Sequence, residues 1–341
     1  MKLIINIIIL QKGRSRIRMP MTYRESMESM GTFLSVASSE KIPDRAVQAV
    51  RQVFQRTEIQ CSRFLPFSEL SAVNRSAGRC PVSVSGEFLG VLKESLRMAR
   101  RTGGVFDPTA GALSGLWRVG HTDAGVPSAA EQEKAAGLVD YKKVQIRRHR
   151  VFLQVRGMQL DLGGIAKEYA LHRAAEVAES AGLRTGLIDA GGDICTVGTK
   201  RDGQAWKIGI QHPRKKGRLL AAVDMKEWDT AETSGDYRRF FFQDGIFQSH
   251  IFSIGARPSV SAVSATLIYR RKSGSIPLAA SFLIAAGLDR AIQFLSGLPD
   301  MEAVLASDDG RVFLTEGLKG SIRFFTGRRD PEPEVIYKRV V

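Results

Sequence analysis

A chain of 341 residues, 43% of them hydrophobic, is long enough to bury a large core, either as one big domain or as two smaller ones. Its 50 Lys and Arg against 35 Asp and Glu give a formal charge of +15, which suits anionic partners. The basic residues are spread out, however: RRHR at 147–150 and RKKGR at 214–218 each read as a solvated turn without interleaved aromatics, and no basic amphipathic helix is visible. A basic nucleic-acid or membrane-surface binder is therefore the least supported class, and no nucleic-acid partner is expected. Three cysteines, Cys61, Cys80 and Cys195, fit neither a metal-ligand spacing nor a disulfide framework and agree better with a reducing compartment.

In chain order, MKLIINIIIL opens with an apolar run too short to span a bilayer and with no small-residue cleavage site after it. It reads as a strand or a start-site artefact, so residues 1–24 are taken as an extension and a cytoplasmic location is expected. Apolar residues at helical spacing predict helices over 44–60, 86–102, 129–137, 164–182 and 278–296. Alternation through Val151, Leu153, Val155, Met158, Leu160 and Leu162 predicts a strand running straight into the helix at 164. LIDAGGDICTVG at 187–198 reads as strand, Gly-Gly-Asp turn, strand. No repeat, low-complexity tract or Pro- or Ser-rich linker divides the middle of the chain, and strands mix with helices without βαβ alternation. The expectation is a single large α+β domain over 25–325 with mixed, largely antiparallel sheets flanked by helices, followed by a basic tail at 326–341.

Chemistry concentrates in a few polar turns. In DLGGIAKEY (161–169), Gly163 and Gly164 fall at a helix N-terminus, where free N–H groups and the positive dipole end attract an anion, and Lys167 adds a mobile charge one turn in. Glycine at such a turn can equally serve packing alone. Asp161 and Asp193 each flank a Gly-Gly pair, where a cation could bridge protein and phosphate oxygens, or each is an ordinary turn Asp. Asp107, next to Phe106 and ahead of Pro108 and Thr109, is a positioned carboxylate or an Asx turn. Ser68, Glu69 and Asn74 otherwise read as a helix cap with an exposed Glu. Thr233, Ser234, Gly235 and Asp236 precede a Phe-rich strand, as an oxygen-binding group or a plain β-turn. Of five histidines His250 has the strongest functional claim, against a structural role in a strand.

Taken in order, MGTFLSV (30–36), SRFLPFSELSAVNR (62–75), GGVFDPTAGALSGLW (103–117), DLGGIAKEY, LIDAGGDICTVG and TSGDYRRFF (233–241) resemble the FAD:protein FMN transferase family, the ApbE-type flavin transferases. The resemblance covers roughly residues 25–320 and is specific through the order and spacing of six motifs. It implies an enzyme that binds FAD as substrate, uses Mg2+ to cleave the pyrophosphate, and moves FMN onto a Thr or Ser of a client flavoprotein with release of AMP. It further implies Met30, Gly31 and Thr32 near the adenine, and a flavin cleft lined by Phe64 (in place of the usual Tyr), Ser68, Glu69, Phe106, Asp107 and Thr109. Gly163, Gly164, Lys167, Gly192, Asp193, Thr233, Ser234 and Gly235 would hold phosphate or ribityl oxygens, with Asp161, Lys167 and the base His250 as catalytic residues. Family members usually act outside the cytoplasmic membrane, and a membrane-bound client would bring peripheral membrane contact.

Two departures bear on catalysis. Ser253 and Ile254 stand where the family shows an Asp-Pro turn, and Ala280 and Ile284 stand where it carries a metal-ligating Asp and, one helical turn on, a metal-ligating Thr. Of the implied protein ligands only the backbone carbonyl of Ala166 survives. The alternative reading is a non-catalytic FAD-binding homologue acting as a flavin carrier or assembly factor.

Overall fold

The computed structural model describes residues 23–117, 125–200, 202–238, 240–243, 245–249, 251, 262–271, 279–325 and 332–338. A hairpin comes first: β1 (Tyr23–Ser29) returns as β2 (Thr32–Ser38) through Met30 and Gly31, at φ 53° and 65°. Two left-handed residues are what a two-residue turn between twisted strands needs. Then come α1 (Asp44–Cys61), α2 (Glu69–Arg75), β3 (Val82–Ser83), α3 (Gly86–Arg101), α4 (Gly111–Trp117) and α5 (Ala129–Ala136). The side chains of Ser68, Ser85 and Ser128 accept the backbone N–H three residues on, so α2, α3 and α5 start where a serine can satisfy an orphan donor. β4 (Val144–Arg147) and β5 (Arg150–Leu153) pair around the turn that holds the RRHR run.

The second half runs α6 (Ala166–Ser180), β6 (Gly186–Ala190), β7 (Asp193–Val197), β8 (Lys207–Gln211), β9 (Leu219–Asp224), β10 (Thr230–Gly235), β11 (Phe240–Gln243) and β12 (Ile246–Ser249). β13 (Ala262–Tyr269), α7 (Ala280–Ala286), α8 (Leu288–Ser296), β14 (Met301–Ser307), β15 (Val312–Thr315), β16 (Ile322–Phe324) and β17 (Glu334–Ile336) complete it. A nine-stranded sheet in the order β1-β2-β6-β7-β10-β13-β14-β15-β17 forms the centre, antiparallel except where β17 joins β15 in parallel. This is the mixed α+β, mostly antiparallel single domain expected.

Strand alternation sends side chains to two covered faces. Leu34, Val36, Ile188 and Ala190 meet α1 and α6 on one face, where Ala265, Leu267, Ala303 and Leu305 also meet α7 and α8. Leu187, Ile194, Ala231, Ile268 and Val304 point the other way, onto a small sheet in the order β16-β9-β8. Burying each such leucine or isoleucine stabilises the fold by about 1.5–3 kcal/mol before conformational entropy is counted.

Four expectations change. The strand predicted through Leu162 stops at Leu153, and beyond it the chain turns at Gly157 (φ 91°) and keeps only a single parallel bridge, Gln159 to Ala110. Its alternation reflects burial of Met158, Leu160 and Leu162 in the largest core cluster rather than ladder pairing. The helix predicted over 278–296 is two helices, broken at Gly287 (φ 80°); residue 278 lies outside the described residues. The expected C-terminal tail includes β17, whose Ile336 is buried in the main core, and β1 begins at Tyr23, inside the expected extension.

Candidate active site

The segment between β5 and α6 is held by its backbone. Asp161 N–H donates to Pro108 O (2.8 Å) and Gly111 N–H to Gln159 O (3.0 Å), so the FDPT and DLGG segments run side by side. Asn74 of α2 brackets Leu160, donating to its carbonyl (3.0 Å) and accepting its N–H (2.7 Å). Thus fixed, the half-buried Asp161 takes bonds on both oxygens: Gly163 N–H donates to Oδ1 (2.9 Å), while Arg63 Nη1 and Ser114 Oγ each donate to Oδ2 at 2.7 Å. Burial alone would raise its pKa, but Arg63, Gly163 N–H and Ser114 together outweigh it and hold the carboxyl below the usual range. The N–H of Gly163, expected to be free for an anion, is therefore spent on Asp161.

Two further turns converge on the start of α6. Lys167, in its first turn, makes an ion pair with buried Asp193, whose other oxygen accepts Thr233 N–H (2.8 Å). This one carboxylate ties DLGGIAK, the Gly-Gly-Asp turn and the TSGDY strand together. Gly191 and Gly192 turn the chain at φ 67° and 96°, and Gly192 N–H donates to Asp189 (2.7 Å). A Cβ on Gly192 would lie 2.6 Å from Arg238 Nη2, and Arg238 itself donates to Gly191 O. A Cβ on Gly191 would overlap Thr32, which sets the Met30-Gly31-Thr32 turn against the same glycines. Burial raises the Asp189 pKa against Gly192 N–H and the charges of Arg24, Arg238 and Lys167. A Cβ on Gly164 would come within 3.1 Å of the Phe106 ring and 3.8 Å of Ser281 Oγ, which puts Phe106 and α7 beside the helix start.

Other sequence-predicted residues sit differently. Ser68 is buried as the α2 cap and donates to Ser62 O (2.6 Å), and Glu69 accepts Ser85 N–H (2.6 Å). Asp107 and Thr109 are buried together: Asp107 accepts Thr109 N–H (2.8 Å), Thr109 Oγ1 (2.6 Å) and Tyr141 N–H (2.9 Å), the Asx-turn arrangement. Phe64 is 71% exposed, with the Arg63 guanidinium 5.5 Å from its ring centre. Thr233, Ser234 and Gly235 end a strand rather than form a turn; Thr233 Oγ1 bonds Thr266 Oγ1 (3.0 Å), and Asp236 pairs bidentately with Arg214 (2.7 and 2.8 Å). The carbonyl of Ala166 belongs to the first residue of α6. His250, Ser253 and Ile254 lie outside the described residues.

Arg63, Ser114 and Arg238 stand inside three of the six motifs, yet nothing in residue spacing distinguishes them from other polar residues, so sequence alone does not single them out. Also missed was a buried network behind Lys167. His172 Nε2 lies 2.8 Å from Tyr269 OH, which donates to Glu232, and one oxygen each of Glu168 and Glu232 is buried without a partner. Burial raises the Glu168 pKa, with Lys167 opposing and Glu232 reinforcing the shift.

The sequence profile of the ApbE family matches residues 30–305. The chain belongs to the ApbE family. A FAD:protein FMN transferase of Treponema pallidum is 30% identical over 336 residues, 93% of this chain and 92% of that protein. One of Vibrio cholerae is 28% identical over 267 residues, covering 76% and 79% of the two chains. Among solved structures, the ApbE protein of Thermotoga maritima superposes with a TM-score of 0.79 at 28% identity, covering 88% of this chain and 99% of that one. The flavin transferase ApbE of Vibrio cholerae gives 0.74 at 26%, covering 87% and 98%.

Proposed function

We propose that this ApbE-family chain is a FAD:protein FMN transferase. The observation that carries the reading is the Lys167–Asp193 ion pair, which joins the α6 start, the Gly-Gly-Asp turn and the TSGDY strand in one corner, in a chain whose relatives bear that name. In the reaction a client Ser or Thr Oγ attacks the phosphorus of the FMN half. The bond from that phosphorus to the bridging oxygen breaks, AMP leaves with the bridging oxygen, and the hydroxyl proton passes to a base. His250 is our candidate for that base, a role suited to a side chain that titrates near neutrality. Lys167, held by Asp193 at the positive end of α6, counters charge building on the departing phosphate. Phe106 and exposed Phe64 offer aromatic faces to the flavin.

The Mg2+ implied by the family does not find its donors here. Ala280 and Ile284 are buried with Phe282 and Leu283 and have no side-chain oxygen to offer, and what α7 turns toward the Gly164 turn is the neutral hydroxyl of Ser281 rather than a carboxylate. The oxygens of Asp161 and Asp193 are already engaged by Arg63, Ser114, Gly163, Lys167 and Thr233. Among the described residues no group of three or more His, Cys, Asp and Glu could hold an ion. No step of the proposed reaction is therefore routed through a metal. Incubation with FAD and a Thr-bearing acceptor peptide tests the activity: AMP and a peptide heavier by the FMN moiety should appear together, and Lys167→Gln should abolish both. FAD binding without AMP release would overturn transfer in favour of a flavin carrier.

A further inference from the structure

We infer that this site holds the FAD pyrophosphate with tethered protein cations, Arg63 and Lys167, in place of a divalent metal. The inference rests on the FAD-binding reading above and specifies how the phosphates are neutralised. Protein sites for Mg2+ usually supply one or two carboxylates, completed by waters and substrate phosphates. In this chain both carboxylates that flank the Gly-Gly turns face a basic side chain instead: Asp161 lies 2.7 Å from Arg63, and Asp193 is ion-paired to Lys167. At the two positions where the family implies ligands this helix carries Ala280 and Ile284, both built into the apolar core, and the only side-chain oxygen seen to face the Gly164 turn from it is the neutral hydroxyl of Ser281.

The two cations are placed for the work. Arg63 and Lys167 are each 25% exposed, so each is anchored at one edge by a carboxylate and open at the other. Only Nη1 of Arg63 bonds Ser114 and Asp161, and its Nη2 would lie 2.9 Å from a Cβ on Gly115, beside α4. A guanidinium is always charged and matches two phosphate oxygens with a planar fork, which an ammonium or a hydrated ion does not. Arg238, which donates to Gly191 O and lies against Gly192, adds a further cation at the Gly-Gly-Asp turn, while Arg24 donates to Ser35 Oγ on β2 (3.2 Å). Lys167 also lies 3.4 Å from Glu168, so four cations stand with four carboxylates here, one of which, Asp189, has a buried oxygen without a partner.

Titration of FAD fluorescence with the full chain, once in EDTA and once in excess Mg2+, tests this directly. The dissociation constants should agree within about twofold, and Arg63→Gln should weaken FAD binding by about tenfold or more in both buffers, as loss of a charge-assisted phosphate contact does. Arg63→Lys should recover part of that loss, and binding of riboflavin, which lacks phosphate, should be insensitive to all three residues at position 63. Wild-type binding that weakens about tenfold in EDTA would overturn the inference while leaving the FAD-site reading standing. Unchanged FAD affinity in Arg63→Gln would also overturn it. Absence of FAD binding in either buffer would remove the reading and the inference together.

Discussion

Replacing Gly191 with alanine tests whether the Met30-Gly31-Thr32 turn and the Gly-Gly-Asp turn truly pack as one unit. Gly191 sits at φ 67°, and a left-handed conformation costs alanine about 1–2 kcal/mol that glycine does not incur. The new methyl would overlap Thr32 Oγ1 and lie 3.2 Å from Thr32 Cβ. Thr32 cannot retreat easily, because Gly191 N–H donates to the neighbouring Phe33 O (2.9 Å) and Thr32 opens the β2 ladder. Overpacking of this kind costs about 1–3 kcal/mol, while the stiffer unfolded chain returns about 0.4–1. The net expectation is a loss of about 2–3 kcal/mol, a large share of the total stability of an ordinary domain. Thr32→Ala removes the hydroxyl, so Gly191→Ala in that background should cost only about 1 kcal/mol, from backbone strain, with a coupling of about 1–2 kcal/mol across the double-mutant cycle. Urea unfolding of the four proteins, followed by tryptophan fluorescence, measures this. Equal costs in both backgrounds would refute the Thr32 contact, and a cost within about 0.5 kcal/mol of zero would refute the strain as well.

Two further outcomes follow from burial. A carboxyl whose folded pKa is raised, as that of Glu168 is by burial and by Glu232 against Lys167, holds its proton more tightly in the native state. Its contribution is full below the ordinary carboxylate range and is lost as pH rises through the raised value, so wild type should lose more stability than Glu168→Gln across that window; parallel stability curves would exclude the assignment. Burial pushes the thiols of Cys61 and Cys195 up to about 12, whereas Cys80 is exposed. A thiol reagent should therefore modify Cys80 alone in the native protein and all three cysteines in denaturant, and rapid native labelling of either buried thiol would contradict the packing around it.

Local signals in the chain determined much of this protein. Serine caps set the starts of α2, α3 and α5, Met30-Gly31 and Gly191-Gly192 set the two-residue turns, and apolar periods of two and 3.6 separated strands from helices. The motif order was enough to indicate the family, and the substitutions Ala280 and Ile284 were visible as lost oxygens without any structure. What tertiary structure alone decided is which partner each polar side chain meets. Alternation over 151–162 could not reveal that only the first residues join a ladder, because an unpaired extended segment buried in the core shows the same pattern as a strand in a sheet. Nor could spacing show Asp107 and Thr109 closing on each other, or Arg63 crossing to Asp161 ninety-eight positions away. Hydrogen bonds and ion pairs act over about 3 Å. Which groups come within that reach depends on how helices and sheet pack across the whole domain, and no local property of the sequence encodes it.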